Sequence, residues 1–329
     1  MTFFCLAAWQ IEGAISRLSE GDDFEIRFFG GEPLLHPEAI YKLVEIAESA
    51  GVKKNVEVKF EIVTNGTRIT PEIAQFMAQK NFGVMVSCDG PPEIQDKSRP
   101  TAGKKPSSTL LEEGVKYLMA VSDKFRFLRS KTVLGSHNMD ALKCFLYAQK
   151  LGFPSISFTW AVDDQDVLNS PKFIEELRIL MEHLWNEGGE TALRQFEWIN
   201  ILFDQLDNPY KLANHCMAGK THAVLDTSNN WYSCHFYTGQ KEFQLGTAET
   251  GIHDGYKAQY AAQHIAKPKC SSCPVRFVCG GGCFATHKTK TGDMLSPDKT
   301  YCFRQIEFYK IGMEFYLKAR TEDNKEMRQ

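Results

Sequence analysis

The sequence predicts an α/β fold built on a parallel sheet and followed by a smaller cysteine-rich region. Three observations predict it. Short apolar runs alternate with helical patterns through the first two-thirds of the 329 residues. Turns rich in glycine and asparagine close successive runs. Seven of the ten cysteines fall after residue 215. Strands that alternate with helices pair in parallel through right-handed crossovers.

The elements follow in order. Met1 to Leu18 reads as a helix, and Glu25 to Phe29 as a strand closed by Gly30-Gly31. A helix runs from Pro37 to Ala50, with proline at its first position and Ile40, Leu43, Val44 and Ala47 on one face. Val58 to Val63 is the next strand, ending at Thr64-Asn65-Gly66. Thr70 then caps a helix whose first residue is Pro71. Val84 to Cys88 is a strand ending at Asp89-Gly90-Pro91, and a long polar loop leads to a helix near Leu110 to Val121. Strand Phe125 to Leu134, helix Asn138 to Leu151 and strand Ser155 to Ala161 follow. Pro171 to Trp185 is amphipathic, with Phe173, Ile174, Leu177, Met181, Leu184 and Trp185 sharing a face. An open doubly wound sheet and a barrel both accommodate this order. The turns favour a barrel-like site, because such sheets bind ligands at the carboxyl ends of their strands. Tight turns use glycine and asparagine everywhere, so the turns alone do not exclude a plain structural role. Helical periodicity fades after about residue 206 and returns from Gln305 to Leu317, which places a domain boundary between residues 205 and 206.

A net charge of -3 argues against nucleic acid or an acidic membrane as the main partner. No apolar run reaches the length of a bilayer span, and Phe3 to Trp9 lacks the flanks of a signal peptide. A cytoplasmic protein is expected, and in a reducing compartment cysteines in this number suggest metal ligands. Cys270-x2-Cys273-x5-Cys279-x3-Cys283, followed by Cys302, has ligand spacing, and Gly280-Gly281-Gly282 lets the backbone fold tightly against a bulky centre. Iron–sulfur clusters, structural zinc and disulfides all remain open on spacing alone. Cys5, Cys88 and Cys144 read as packing residues.

Cys216, Cys234, Cys270-x2-Cys273-x5-Cys279-x3-Cys283 and Cys302 resemble the seven-cysteine pattern of the SPASM domain of radical SAM peptide- and protein-modifying enzymes. The resemblance implies two auxiliary [4Fe–4S] clusters. Cys216, Cys234 and Cys283 would serve the first, and Cys270, Cys273, Cys279 and Cys302 the second. The first then lacks a fourth cysteine. An open iron or His222 could complete it, although His222 also reads as an ordinary surface residue. Asn229 stands where the family has glycine, and it too tolerates the left-handed conformation. Phe28-Phe29-Gly30-Gly31-Glu32-Pro33-Leu34-Leu35 resembles the SAM-binding motif, whose backbone and glutamate receive the methionine ammonium. Ser87 and Asp89, in Val86-Ser87-Cys88-Asp89-Gly90-Pro91, match an element near the SAM ribose, which Asp96 to Arg99-Pro100 continues. Thr64-Asn65-Gly66 matches a third element, through Asn65. The fold so implied is a partial (β/α)6 TIM-like barrel missing its first strand over residues 1–205, followed by a SPASM domain over residues 206–329.

One departure bears on activity. The family carries Cys-x3-Cys-x2-Cys before the glycine motif, where three thiolates hold the cluster that chelates SAM. Here Cys5 alone precedes Gly30. A start placed too late, a gene fragment or a degenerate protein would each account for this. With the motif, the family's reaction is reductive SAM cleavage to a 5′-deoxyadenosyl radical, which abstracts a hydrogen atom from a peptide or protein side chain. A flavodoxin or ferredoxin would supply electrons. The branch that matures sulfatases has an acidic residue after the second SPASM cysteine; His235 stands there instead. A ribosomal-peptide maturase is therefore expected ahead of a sulfatase-maturating type. His235 is the candidate for proton transfer, or it makes a structural hydrogen bond. A non-radical iron–sulfur electron carrier or peptide-binding scaffold, and a zinc-stabilised binding protein, are the other readings.

Overall fold

The computed structural model describes residues 3–161, 164, 171–253 and 264–326, and no side chain before residue 7 or after residue 321. Helix α1 (Phe3–Ser16) leads into β1 (Asp23–Phe28). Then come α2 (Pro37–Lys54), β2 (Glu57–Thr64), α3 (Pro71–Gln79) and β3 (Gly83–Ser87). Two helices, α4 (Pro92–Ser98) and α5 (Ser108–Met119), precede β4 (Phe127–Leu134); α6 (Ala141–Lys150) and β5 (Ser155–Trp160) complete the sheet. All neighbouring strands pair in parallel, in the order β1-β2-β3-β4-β5. Consecutive order decides between the two predicted architectures. A doubly wound sheet reverses direction at a switch point, whereas a barrel adds each strand beside the last.

The local predictions are met where capping chemistry is plain. The Thr70 hydroxyl accepts from the Ile73 N–H, with Pro71 next in line. Helix α2 outruns its expected end by four residues, to Lys54, and stops at Asn55 in the left-handed conformation (φ 55°). The predicted start of α6 at Asn138 is corrected: Asp140 caps it through the Lys143 N–H, while the Asn138 amide binds the Asp89 and Val133 carbonyls. Two helices were not expected. One is α4, inside the supposed polar loop, whose polar sequence carries no apolar stripe. The other is α8 (Glu197–Asp207), which crosses the expected domain boundary. The helix expected to end at Trp185 continues as α7 (Lys172–Leu193), interrupted by non-helical backbone at Gly188 and Gly189.

The two faces of the sheet differ. Phe60, Ile62, Val84, Val86, Leu128, Ile156 and Phe158 are buried in the main core. Register puts Ser87 beside Lys131, and Lys131 beside Ser157, on the opposite, polar face. Cys88 and Cys144 are buried as expected, and burial pushes each thiol up to about 12.

After α8 the chain forms an antiparallel sheet, β6 (Val224–Leu225), β7 (Asn230–Tyr232), β8 (Gln244–Thr247) and β9 (Gly251–Ile252), and the short helices α9 (Arg276–Cys279) and α10 (Phe284–Thr291). Its apolar clusters are small: Tyr232, Tyr237, Phe243 and Ala285 in one, Leu245 and Phe284 in the other. The final helix α11 (Lys299–Glu326) returns to the first part, and its Phe308, Ile311 and Phe315 join the main core.

Gly114 in α5 makes a direct test of packing. A Cβ there would lie 2.2 Å from the Gly66 carbonyl oxygen and 3.2 Å from Ile69 Cβ. Alanine favours a helix over glycine by about 1 kcal/mol, but overpacking against fixed backbone costs about 1–3 kcal/mol. Gly114→Ala should therefore destabilise the protein by up to about 2 kcal/mol net in urea unfolding; a gain in stability would show that α5 moves away freely.

Candidate functional site

The three turns at the carboxyl ends of β1, β2 and β3 lie on one rim, as consecutive parallel order requires. Gly30 and Gly31 both take positive φ, 97° and 50°, which turns the chain sharply out of β1. The carboxylate of Glu32 then reaches across to the next turn. Its Oε1 accepts from the Leu34 N–H at 3.1 Å and the Thr64 hydroxyl at 2.7 Å, and Oε2 accepts from the Asn65 N–H at 2.7 Å. The Thr64 hydroxyl in turn accepts from the Gly66 N–H at 3.1 Å. Asn65 Oδ1 accepts from the backbone and hydroxyl of Thr67. Glu32 thus clamps the first turn to the second, a role beyond the expected reception of an ammonium. Pro33 opens the single helical turn whose first free N–H, that of Leu34, Glu32 satisfies.

The third turn is clamped by Asp89, which is 3% exposed. Its Oδ2 accepts from Arg99 Nε at 2.7 Å and its Oδ1 from the Val133 N–H at 3.0 Å. Its own N–H donates to Gln95 Oε1 at 2.8 Å, drawing α4 against the turn. Both carboxylate oxygens are therefore engaged within the protein. Ser87 differs, since it lies half-buried on the polar face beside Lys131, whose ammonium donates to Ser157 Oγ at 3.1 Å. Asp96, the next predicted position, accepts from the Ser107 and Ser108 backbone and fastens the start of α5.

The cysteine-rich part meets this rim. The ring of Phe29, the residue before Gly30, packs against the His235 ring with centroids 4.8 Å apart. His235 Nδ1 lies 3.9 Å from the Cys234 sulfur. Surrounding protein lowers the imidazole pKa of His235, and His222 and Arg27 lower it further. His222 is lowered the same way, by desolvation and then by Arg27, which places it toward the β1 edge. Asn229 adopts φ 64°, the conformation for which glycine is usual.

The seven cysteines gather in two sets. Partial burial pushes the Cys234 thiol up to about 11, and Cys283 and Cys216 add to the rise. Cys234 and Cys283 also border the same small apolar cluster. In the second set, burial pushes Cys279 up to about 12 and Cys302 up to about 11. The neighbours that raise Cys279 are Cys302, Cys270 and Cys273, and Cys302 is raised by Cys270 and Cys273. The sets are looser than a single-ion site: among the described residues no three His, Cys, Asp or Glu side chains converge on one metal position. Thiols raised in this way must lose their protons to bind metal, so uptake releases protons.

Two buried cations lie in this half, and the spacing of the cysteines did not reveal them: Lys267 stands beside the thiols, and Arg304 beside Tyr301 and Asp298. Lys267, 2% exposed, donates from Nζ to the Gly281 carbonyl at 2.6 Å, inside the glycine run between Cys279 and Cys283. Arg304, 4% exposed, has no hydrogen-bond partner at Nε or Nη1. Buried cations persist only beside compensating negative charge. A thiolate-held iron–sulfur centre carries that charge, so the residues present fit such centres.

The Radical SAM superfamily profile matches residues 10–167. These residues are similar to a radical SAM domain. The chain is similar to a cysteine-type anaerobic sulfatase-maturating enzyme of Clostridium novyi (strain NT), at 26% identity over 279 residues covering 78% of this chain and 72% of that one. It is also similar to a mycofactocin maturase of Mycobacterium tuberculosis (strain CDC 1551 / Oshkosh), at 25% identity over 332 residues covering 97% and 81%. Among solved structures, native anSMEcpe with bound AdoMet and Kp18Cys peptide matches with a TM-score of 0.77 at 18% identity, covering 96% of this chain and 90% of that one. The predicted α/β fold is the radical SAM fold, and the superfamily relatives are enzymes. No helix among the described residues is long and apolar enough to cross a membrane.

The clamp at Glu32 is testable without any ligand. Glu32→Ala strands three donors on the radical SAM rim and should lower the unfolding free energy by about 2 kcal/mol, measured by urea denaturation of the metal-free protein. An unchanged midpoint would mean that the turns hold each other without it.

Proposed function

We propose that this protein modifies a side chain of a peptide or protein by hydrogen-atom abstraction, as a maturase of a ribosomally made peptide. The observation that carries the reading is the junction at Phe29 and His235. It sets the first cysteine set beside the glycine rim of a radical SAM domain. Residues 206–329 are assigned as the SPASM domain. Cys216, Cys234 and Cys283 hold its first auxiliary [4Fe–4S] cluster, and Cys270, Cys273, Cys279 and Cys302 hold the second. When bound, iron–sulfur clusters with SAM supply one-electron chemistry and a hydrogen-abstracting radical.

The chain's own residues do the rest. The turn at Gly30 and Gly31 lets the backbone approach the methionine end of SAM, and Glu32 holds that turn against Asn65. Ser87 presents its hydroxyl from the polar strand face toward the ribose, and Asp89 fixes the turn that carries it. His235 sits where a proton is exchanged between substrate and solvent, beside Cys234. The substrate enters as a peptide, electrons come from a flavodoxin or ferredoxin, and the setting is cytoplasmic. Among the relatives, both a sulfatase-maturating enzyme and a mycofactocin maturase are represented. A sulfatase-maturating activity is the alternative within the same chemistry. His235, in place of an acidic residue, favours the peptide maturase.

The two thiol sets lie wholly after residue 215 and need no other cysteine, which also suits a second reading, an iron–sulfur electron carrier or peptide-binding scaffold without radical chemistry. Two measurements separate the readings. The anaerobically reconstituted protein should approach about eight irons per chain, from two four-iron centres; stoichiometric zinc without iron would refute both. The 329 residues alone should not convert SAM to 5′-deoxyadenosine under strong reductant, because one thiol cannot hold the chelating cluster. The same chain joined to a segment carrying Cys-x3-Cys-x2-Cys should do so. If that joined protein binds the additional iron and still leaves SAM intact, the electron-carrier reading prevails.

Cys273→Ala separates metal from packing. It removes a thiol from the second set, and small metal-held modules draw much of their folding free energy from the metal. The variant should lose about four irons per chain and unfold at lower temperature in the reconstituted state. Full iron content would remove Cys273 from the ligands.

A further inference from the structure

Lys267 is the least expected residue of the cysteine-rich half. It precedes Cys270 by three positions, yet its side chain is among the most fully buried large ones in the protein. Its ammonium makes one hydrogen bond, to the Gly281 carbonyl at 2.6 Å, and stands 4.6 Å from the centroid of the Phe284 ring. Among the described residues no carboxylate pairs with it. The groups beside its charge that become anionic on binding metal are the thiols of Cys270, Cys279, Cys283 and Cys302. Cys216 also feels it. Cys270, Cys279 and Cys302 belong to the second set, whereas Cys283 and Cys216 belong to the first. The charge therefore stands in the wall between the two.

Asp298 is the carboxylate of this region, and it acts on His287, Cys302 and Arg304. His215, His264 and His287 are neighbours whose protonation Lys267 disfavours. His287 accepts the Asp298 N–H at Nδ1 and faces the Gly281 carbonyl with Nε2, the tautomer of a neutral ring. The glycine run is shaped around these side chains: a Cβ at Gly281 would lie 2.3 Å from the His264 backbone, and one at Gly282 2.8 Å from His287 Nε2. A cation buried in this way, hydrogen-bonded to a loop that links ligands of both sets, acts on both through a medium of low dielectric.

We propose that Lys267 is a shared electrostatic positioning residue, whose fixed positive charge between the two thiol sets raises the reduction potentials of both auxiliary iron–sulfur centres. The inference rests on the reading that the two sets hold such centres. A reduced centre carries one more negative charge than its oxidised form, so a nearby cation stabilises the reduced form. The larger effect falls on the second centre, to which most of the neighbouring thiols belong.

The test compares Lys267→Gln, which keeps a hydrogen-bond donor and loses the charge, with Lys267→Arg, which keeps the charge. Both are made in the full 329-residue chain, reconstituted anaerobically. Iron, sulfide and zinc are measured first, and midpoint potentials follow from redox titration monitored by electron paramagnetic resonance. The expected result is wild-type iron in both variants, with potentials shifted negative in Lys267→Gln and close to wild type in Lys267→Arg. Unchanged potentials in Lys267→Gln would overturn it, and so would equal loss of iron in both variants, which would make the lysine a packing residue. If the wild-type chain takes zinc and no iron, the iron–sulfur reading fails first, before any potential is measured, and takes this inference with it.

Discussion

Consecutive parallel order is the constraint on which the first half of the molecule depends. Each strand is added beside the last, so every strand leaves the sheet at the same rim. The turns after β1, β2 and β3 are then neighbours in space although they are far apart in sequence. Neighbouring turns crowd polar backbone together, and two carboxylates resolve the crowding. Glu32 ties the first turn to the second, and Asp89 ties the third to β4 and to Arg99. A buried carboxylate with all its donors in place is far more rigid than a loop held by backbone alone. The rim is thus preorganised before any ligand arrives. Ser87 and Lys131 stay on its polar face, while the opposite face of the sheet is covered by helices.

The second half is built on a different principle. Its apolar clusters contain few residues, too few to hold the segment by hydrophobic burial alone. Its interior holds thiols, two histidines (His264 and His287) and two cations that an ordinary core would exclude. Such an interior makes sense when a charged inorganic centre supplies the missing cohesion, because metal binding free energy is then folding free energy. The protein part of the cohesion comes from elsewhere. Helix α11 carries Phe308, Ile311 and Phe315 back into the main core, and its Arg320 pairs with Glu190 and Asp207. The cysteine-rich half is thus fastened to the helix layer of the first half.

The two halves meet at more than one place. At the rim Phe29 meets His235 and Gln10 donates to the Ala248 carbonyl, while Gln205 donates to the Phe277 carbonyl and α11 packs into the main core. At 18% identity, a TM-score of 0.77 shows a shared fold.

The alternation of apolar runs, the prolines at helix starts and the N-cap at Thr70 made the sheet and most of its helices legible, because these are local preferences that burial reinforces. The cysteine spacing marked the C-terminal thiols as ligand-like, the family resemblance implied their division into two sets, and Cys5, Cys88 and Cys144 read as packing residues. The packing role is borne out for Cys88 and Cys144, while the side chain of Cys5 lies outside the described residues. Helix α4 was hidden because its partners are polar, Gln95 and Arg99 reaching Asp89, and no apolar period announces such packing. Helix α8 was hidden by its position at the change of composition, although Ile199, Leu202 and Phe203 bury fully. By itself, then, the sequence determined the parallel α/β class, the three glycine and asparagine turns and the identity of the thiols. Tertiary structure alone decided that the strands run in consecutive order, that Glu32 and Asp89 act as clamps between turns, and that Lys267 lies buried beside the cysteines. The reason is physical: a residue's type sets what it can bond to, but burial and charge pairing depend on what distant segments bring within a few ångströms.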